Sequence, residues 1–234
     1  MTTFHRRADL ARMTLAAIAA TALLGAPAGC NIAGPLTYLA MGAPKIPAEC
    51  ELADRRTVVY VDDRANVIEA NAPAMRIAIA EQVSEELMTR KVLSPEMTIS
   101  PGDTLALVRS HDRHSELLPI DAIGRLVGAE QVIYVEMAQF SLTPDGVTPR
   151  PTAACRVRVI DVNNRERLYP SADETAQTAR QVGSQLNEID DSLYRSASSR
   201  RSVYGKLAER VGKDVAKLFY RHDSRDLGER LTPD

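Results

Sequence analysis

The chain has 234 residues, 44% of them hydrophobic, with a formal net charge of -2, which suits one ordinary globular domain with a real core plus an accessory segment. So small a charge lacks the basic face that a nucleic-acid partner requires, and zero Trp with three Phe leave no aromatic platform for stacking bases or sugars. Three cysteines are too few for a disulfide scaffold and lack zinc-site spacing, so neither a metal nor another cofactor is predicted.

At the amino end, His5, Arg6, Arg7 and Arg12 precede an apolar run over 14–24. The run is short of the roughly 20 apolar residues that a spanning helix needs, and the pair of regions predicts an export signal. It leads into Leu23-Leu24-Gly25-Ala26-Pro27-Ala28-Gly29-Cys30. Small residues directly before a cysteine resemble the bacterial lipobox. That resemblance implies removal of 1–29 as a lipoprotein-type signal peptide and acylation of Cys30 as the mature amino terminus. Each buried methylene contributes about 0.8 kcal/mol, so a multiply acylated cysteine is a lasting membrane anchor. Asn31, rather than Asp, follows it, as in lipoproteins sent on to the outer membrane, where the domain would face the periplasm. Pro27 stands where the lipobox usually carries an apolar residue. The alternative is a cut after Ala28 that releases a soluble periplasmic ligand-binding protein.

Residues 30–54 read as the lipidated cysteine and a tether punctuated by Gly34, Pro35, Gly42, Pro44 and Pro47. Leu36, Tyr38, Leu39 and Met41 make it more apolar than a free linker needs, which predicts docking on the domain or on a partner.

An α/β domain is predicted over 55–220, a mixed sheet with helices packed on its faces, before a charged, disordered tail over 221–234. The β-branched run 57–61 reads as a buried central strand that ends in Asp62-Asp63-Arg64. Asn71 and Pro73 open a helix whose Ile79, Val83 and Leu87 recur at i, i+4, i+8. A short strand is predicted within 92–99. Ser100-Pro101-Gly102-Asp103 then caps a half-buried helix through Leu105, Leu107 and Val108. Pro119 opens another, with Ile120, Ile123, Leu126 and Val127 on one face and Gly128 as its left-handed stop.

The strongest strand follows at once, and residues 132–142 form a hairpin with 153–162 across Pro144-Asp145-Gly146. Within it Cys155, Val157 and Val159 face one way, Arg156 and Arg158 the other, with Glu136 positioned to pair with one of the arginines. Asn163-Asn164 turns the chain into a strand over 166–169 that Pro170 ends. The polar stretch 171–191 reads either as an edge strand near 178–186 or as a mobile flap. The closing helix spans 198–219, with Val203, Leu207, Val211, Val215 and Leu218 in a 3.6-residue period. Gly205 and Gly212 either weaken this helix or allow close packing.

This arrangement has a strand ending in acid-Arg, a long helix, then a helix running through Val127-Gly128-Ala129 into the strand 131–137. It resembles envelope lipoproteins with a TolB amino-terminal-like or curli-secretion-like domain. The resemblance covers about 55–220 and implies a non-enzymatic part of an outer-membrane or periplasmic assembly, with an envelope protein as partner.

Few residues offer chemistry. Asp62 and Asp63 lie where α/β sheets often bind ligands, at the carboxyl end of a central strand. With Arg64 they form a candidate ligand or partner surface. The acids either hold a cation or polarise a substrate, as an enzyme would use them, or they cap the following loop and pair with Arg64. No Gly-rich phosphate loop follows. His111-Asp112-Arg113-His114 matches no zinc pattern and reads as a solvated loop. Cys50 and Cys155 either form a disulfide, closing a loop that is worth up to ~4.7 kcal/mol in the ideal model, or remain a buried and an exposed free thiol.

Overall fold

The computed structural model describes residues 45–68, 72, 74–111, 118–171, 178–187, 189 and 196–224. The signal-like segment, Cys30 and the tether up to residue 44 lie outside them. So do Asn71 and Pro73, the stretch 112–117 and the tail 225–234. Pro47–His222 form one compact unit; in the other, the Lys45 ammonium lies 4.0 Å from Asp223.

The larger unit is a mixed α/β domain. Its centre is β1 (Thr57–Asp62), every residue of which is buried. Two strands run parallel to it, β2 (Thr98–Ile99) on one side and β3 (Gln131–Ser141) on the other. The β1–β3 register sets Tyr60 beside Tyr134 and Asp62 beside Glu136. Antiparallel to β3 runs β4 (Thr152–Asp161), which pairs with β5 (Glu166–Tyr169) along one half and with β6 (Arg180–Gln185) along the other. Parallel strands covered on both faces need continuous apolar side chains, whereas the antiparallel half can alternate. The Val-rich β1 and the Cys/Arg/Val/Arg pattern of β4 obey that division.

Among the described residues, four helices cover the sheet. The helices α1 (Met75–Thr89) and α4 (Ala197–Ala216) pack on the face carrying Val59, Val61, Ile133 and Val135. On the opposite face, α2 (Pro101–His111) and α3 (Ile120–Val127) bring Leu105, Val108 and Ile123 against Val58, Tyr60, Val132 and Tyr134. Alternate residues of one strand therefore feed two separate cores, as the two-residue side-chain period requires.

Most predicted elements form. Gly128 caps α3 at φ 68°, a conformation that costs glycine nothing. Glu136 pairs with both arginines, at 2.5 Å from Arg158 and 3.5 Å from Arg156. The edge-strand reading of 171–191 holds for β6, while 172–177, 188 and 190–195 lie outside the described residues. Helix α4 is capped at Ser196, whose hydroxyl accepts the Ser199 N–H at 3.0 Å.

The short strand expected within 92–99 forms at Thr98–Ile99, after a 3-10 turn, Pro95–Met97, where Pro95 has no N–H for a ladder. Leu93, 2% exposed, tucks under the end of α1. One expectation needs correction: helix α1 starts at Met75, with Ala74 rather than Asn71 preceding it and no side-chain cap.

The predicted tether's end is held to the domain. Glu49 and Cys50 donate their N–H groups to the Leu218 carbonyl at 2.8 and 3.1 Å. The Glu49 carboxylate accepts both arms of Arg180 at 2.8 Å and the Tyr169 hydroxyl at 2.6 Å. Arg180 holds the Glu49 carboxyl below its ordinary range. A depressed carboxyl stabilises the fold above its unfolded-state value of about 4.3 and loses that contribution as pH falls through the lowered value. Protection of the Glu49 and Cys50 amides against hydrogen exchange, corrected for the intrinsic rate, should accordingly hold at neutral pH and drop in acid. Glu49→Gln should abolish that pH dependence.

Candidate functional site

The carboxyl end of β1 opens into a cavity of about 260 Å³ between the sheet, α2 and the start of α3. Each polar wall residue is fixed by its element. Tyr60 and Asp62 point to this side because they alternate with Val59 and Val61. Arg76 projects from the first turn of α1, and Arg109 from the last turn of α2. Leu105, Val108, Leu118 and Ile123 supply the apolar floor.

Asp62 is 7% exposed and heavily engaged. It accepts the Tyr134 hydroxyl in a short hydrogen bond and the Arg64 Nε at 2.5 Å, and the Arg76 guanidinium lies 4.0 Å from its second oxygen. Arg76 in turn donates Nε and Nη2 to the Val61 carbonyl at 3.0 and 2.8 Å. Three cation–π contacts tighten the group: Arg64 and Arg158 over Tyr134 at 6.0 and 5.1 Å, and Arg76 over Tyr60 at 5.9 Å. The two tyrosine rings stack at 6.2 Å between centroids. Burial raises the Tyr134 phenol above its ordinary value, and the Asp62 carboxylate reinforces the shift, so Tyr134 remains a donor.

Asp63 behaves differently. Its two carboxylate oxygens accept the N–H groups of Val67 at 2.8 Å and Ile68 at 3.2 Å. Of the two roles considered for these acids, the structural one describes both. Asp63 caps the loop, and Asp62 pairs with Arg64. The Asp62 carboxylate is thus engaged by the protein's own phenol and guanidiniums.

The other candidates do not join this cavity. His111 ends α2 on the surface with Nδ1 3.0 Å from the Leu107 carbonyl oxygen, and Asp112, Arg113 and His114 lie outside the described residues. Among the described residues, no cluster of three His, Cys, Asp or Glu side chains could hold a metal ion. Cys50 and Cys155 are not bonded to each other, and both thiols are free. Cys155 sits inside the core under α4, 1% exposed, and Cys50 packs against the edge of that core. Burial pushes the thiols up to about 12 and about 11, so both stay protonated at neutral pH. Each behaves as a small apolar group. Cys30 lies outside the described residues.

Sequence reading missed Tyr60, Arg76, Arg109 and Tyr134 as members of the site. The signal for the two tyrosines was present: each stands two residues before an acid (Asp62, Glu136) in an otherwise apolar strand. Pairing the two strands in parallel brings both tyrosines to one face. Nothing local marks Arg76 or Arg109.

No protein-family model matches the sequence, and no curated protein is recognisably similar to it. Solved structures show distant likenesses. Protein XCC0632 from Xanthomonas campestris, of the family DUF330, aligns with 74% of this chain and 86% of its own at 6% identity and a TM-score of 0.44. The PelC dodecamer from Paraburkholderia phytofirmans aligns with 77% and 98% at 17% identity and 0.37. Lipoprotein GNA1162 from Neisseria meningitidis aligns with 66% and 93% at 9% identity and 0.35. These likenesses are too distant to assign the chain a family or a function.

Proposed function

We propose that this chain is an exported lipoprotein whose α/β domain is a non-enzymatic binding or assembly module of the cell envelope. The observation that supports a binding role over catalysis is the state of Asp62. At the position where an α/β sheet presents its reactive groups, the protein's own phenol and guanidiniums occupy the carboxylate. The anchor rests on the amino-terminal sequence, in which a basic region, an apolar run and small residues lead to Cys30. An acylated Cys30 places the domain on a membrane, with Asn31 favouring the outer one and an envelope protein as partner. The TolB amino-terminal-like or curli-secretion-like character of the domain belongs to the same reading.

Fractionation of the native envelope tests this. The wild-type chain should pellet with membranes, resist salt extraction and dissolve in detergent, as a hydrocarbon anchor demands. Cys30→Ser should move it out of that fraction. Pro27 favours the second reading, a soluble periplasmic form cut after Ala28. Wild-type protein found in the soluble periplasmic fraction would select it.

A further inference from the structure

We propose that the strand-end cavity binds a small organic anion, a carboxylate carried on a short apolar body. The proposal deepens the binding-module reading and rests on it.

Among the described residues, the charge inventory of the cavity does not close. Arg64, Arg76 and Arg109 line it against Asp62 and Asp63, an excess of one positive charge within that set. Asp63 is committed to two backbone N–H groups, and Asp62 must serve two guanidiniums alone. The Arg76 side chain is only 20% exposed. A cation removed that far from water is costly unless an anion balances it. Arg109, on the exposed rim, makes no hydrogen bond or ion pair among the described residues. A guanidinium offers donors in a planar fork that matches a carboxylate.

The walls limit the remainder of the ligand. Leu105, Val108 and Ile123 close the floor, 5%, 6% and 2% exposed, so the part of a ligand that reaches them meets apolar side chains. At about 260 Å³ the space lies just under the usual range for drug-sized ligands. Three guanidiniums repel a divalent cation, and both acids are already occupied. A phosphate dianion would overshoot the single excess charge, and no Gly-rich loop supplies further N–H donors.

The test is calorimetric titration of the full chain carrying Cys30→Ser, so that its outcome is independent of whether Cys30 is acylated. Hexanoate should bind with a dissociation constant of about 1 mM or tighter. Hexanamide, which lacks the charge, and inorganic phosphate, which lacks the apolar body, should bind at least about tenfold more weakly. Adding Arg109→Gln should weaken hexanoate by a similar factor without changing the melting temperature, and Arg109→Lys should recover part of the loss. Absence of saturable hexanoate binding would overturn the proposal. So would equal binding of hexanamide or phosphate, or an unchanged affinity in Arg109→Gln.

Discussion

Replacing Asp62 by Ala should cost the domain about 3 kcal/mol. Removing one partner of a buried ion pair typically costs about 3–5 kcal/mol, because the opposite charge is left without compensation. Three groups would be stranded at once: the Tyr134 hydroxyl, the Arg64 guanidinium and the Arg76 guanidinium. Arg64, 37% exposed along its side chain, can turn to water, which places the loss at the low end of that range. Tyr134→Phe removes one donor and keeps the ion pairs, so a smaller cost of about 1–2 kcal/mol follows. Urea unfolding of the two variants measures both. A loss below about 1 kcal/mol for Asp62→Ala would mean that the carboxylate is solvated rather than held by Tyr134, Arg64 and Arg76.

Gly212→Ala should destabilise, whereas Gly205→Ala, seven residues earlier in the same helix, should stabilise. Ala exceeds Gly in helix propensity by about 1 kcal/mol, so propensity alone favours both changes. At Gly205 nothing lies within 4 Å of the added methyl, and the full gain is available. At Gly212 a Cβ would stand 2.6 Å from the Gln82 Cβ and 3.2 Å from the Ile79 carbonyl oxygen. Both obstacles are fixed to the backbone of α1, so α4 must move away and uncover Val83, Val211 and Val215. Overpacking of this kind costs about 1–3 kcal/mol and outweighs the propensity. Opposite signs in thermal unfolding check the pair, and a stabilising Gly212→Ala would show that the two helices do not meet as closely as described. Gly124 carries the same constraint in α3, where an added methyl would collide with Val162 and lie 2.9 Å from Val132.

These glycines show where local pattern ends. Both roles of Gly212, helix weakener or close contact, were open from the sequence, and only the position of Gln82 across the interface decides between them. The architecture was legible because its signals are periodic. The unbroken Val/Tyr run of β1 needs cover on two faces, the Cys/Arg alternation of β4 needs it on one, and Gly128 stops α3 one turn before the strongest strand. The site was less legible because its contacts are distant in sequence. Asp62 meets Tyr134 across 72 residues and Glu49 meets Arg180 across 131. Neither partner announces itself by composition. The adjacent acids Asp62 and Asp63 also look equivalent in the sequence, yet strand alternation buries one in an ion-pair network and leaves the other to cap a loop.

The same division governs function. The proposed envelope role stands on the amino-terminal sequence, in which an apolar run leads to Cys30. Intact-mass analysis of the protein isolated from its native cell tests it most directly. The expected species lacks 1–29, begins at Cys30 and is heavier by the mass of its acyl groups. An unmodified chain that still carries Met1 through Cys30, recovered from the cytosol, would contradict it.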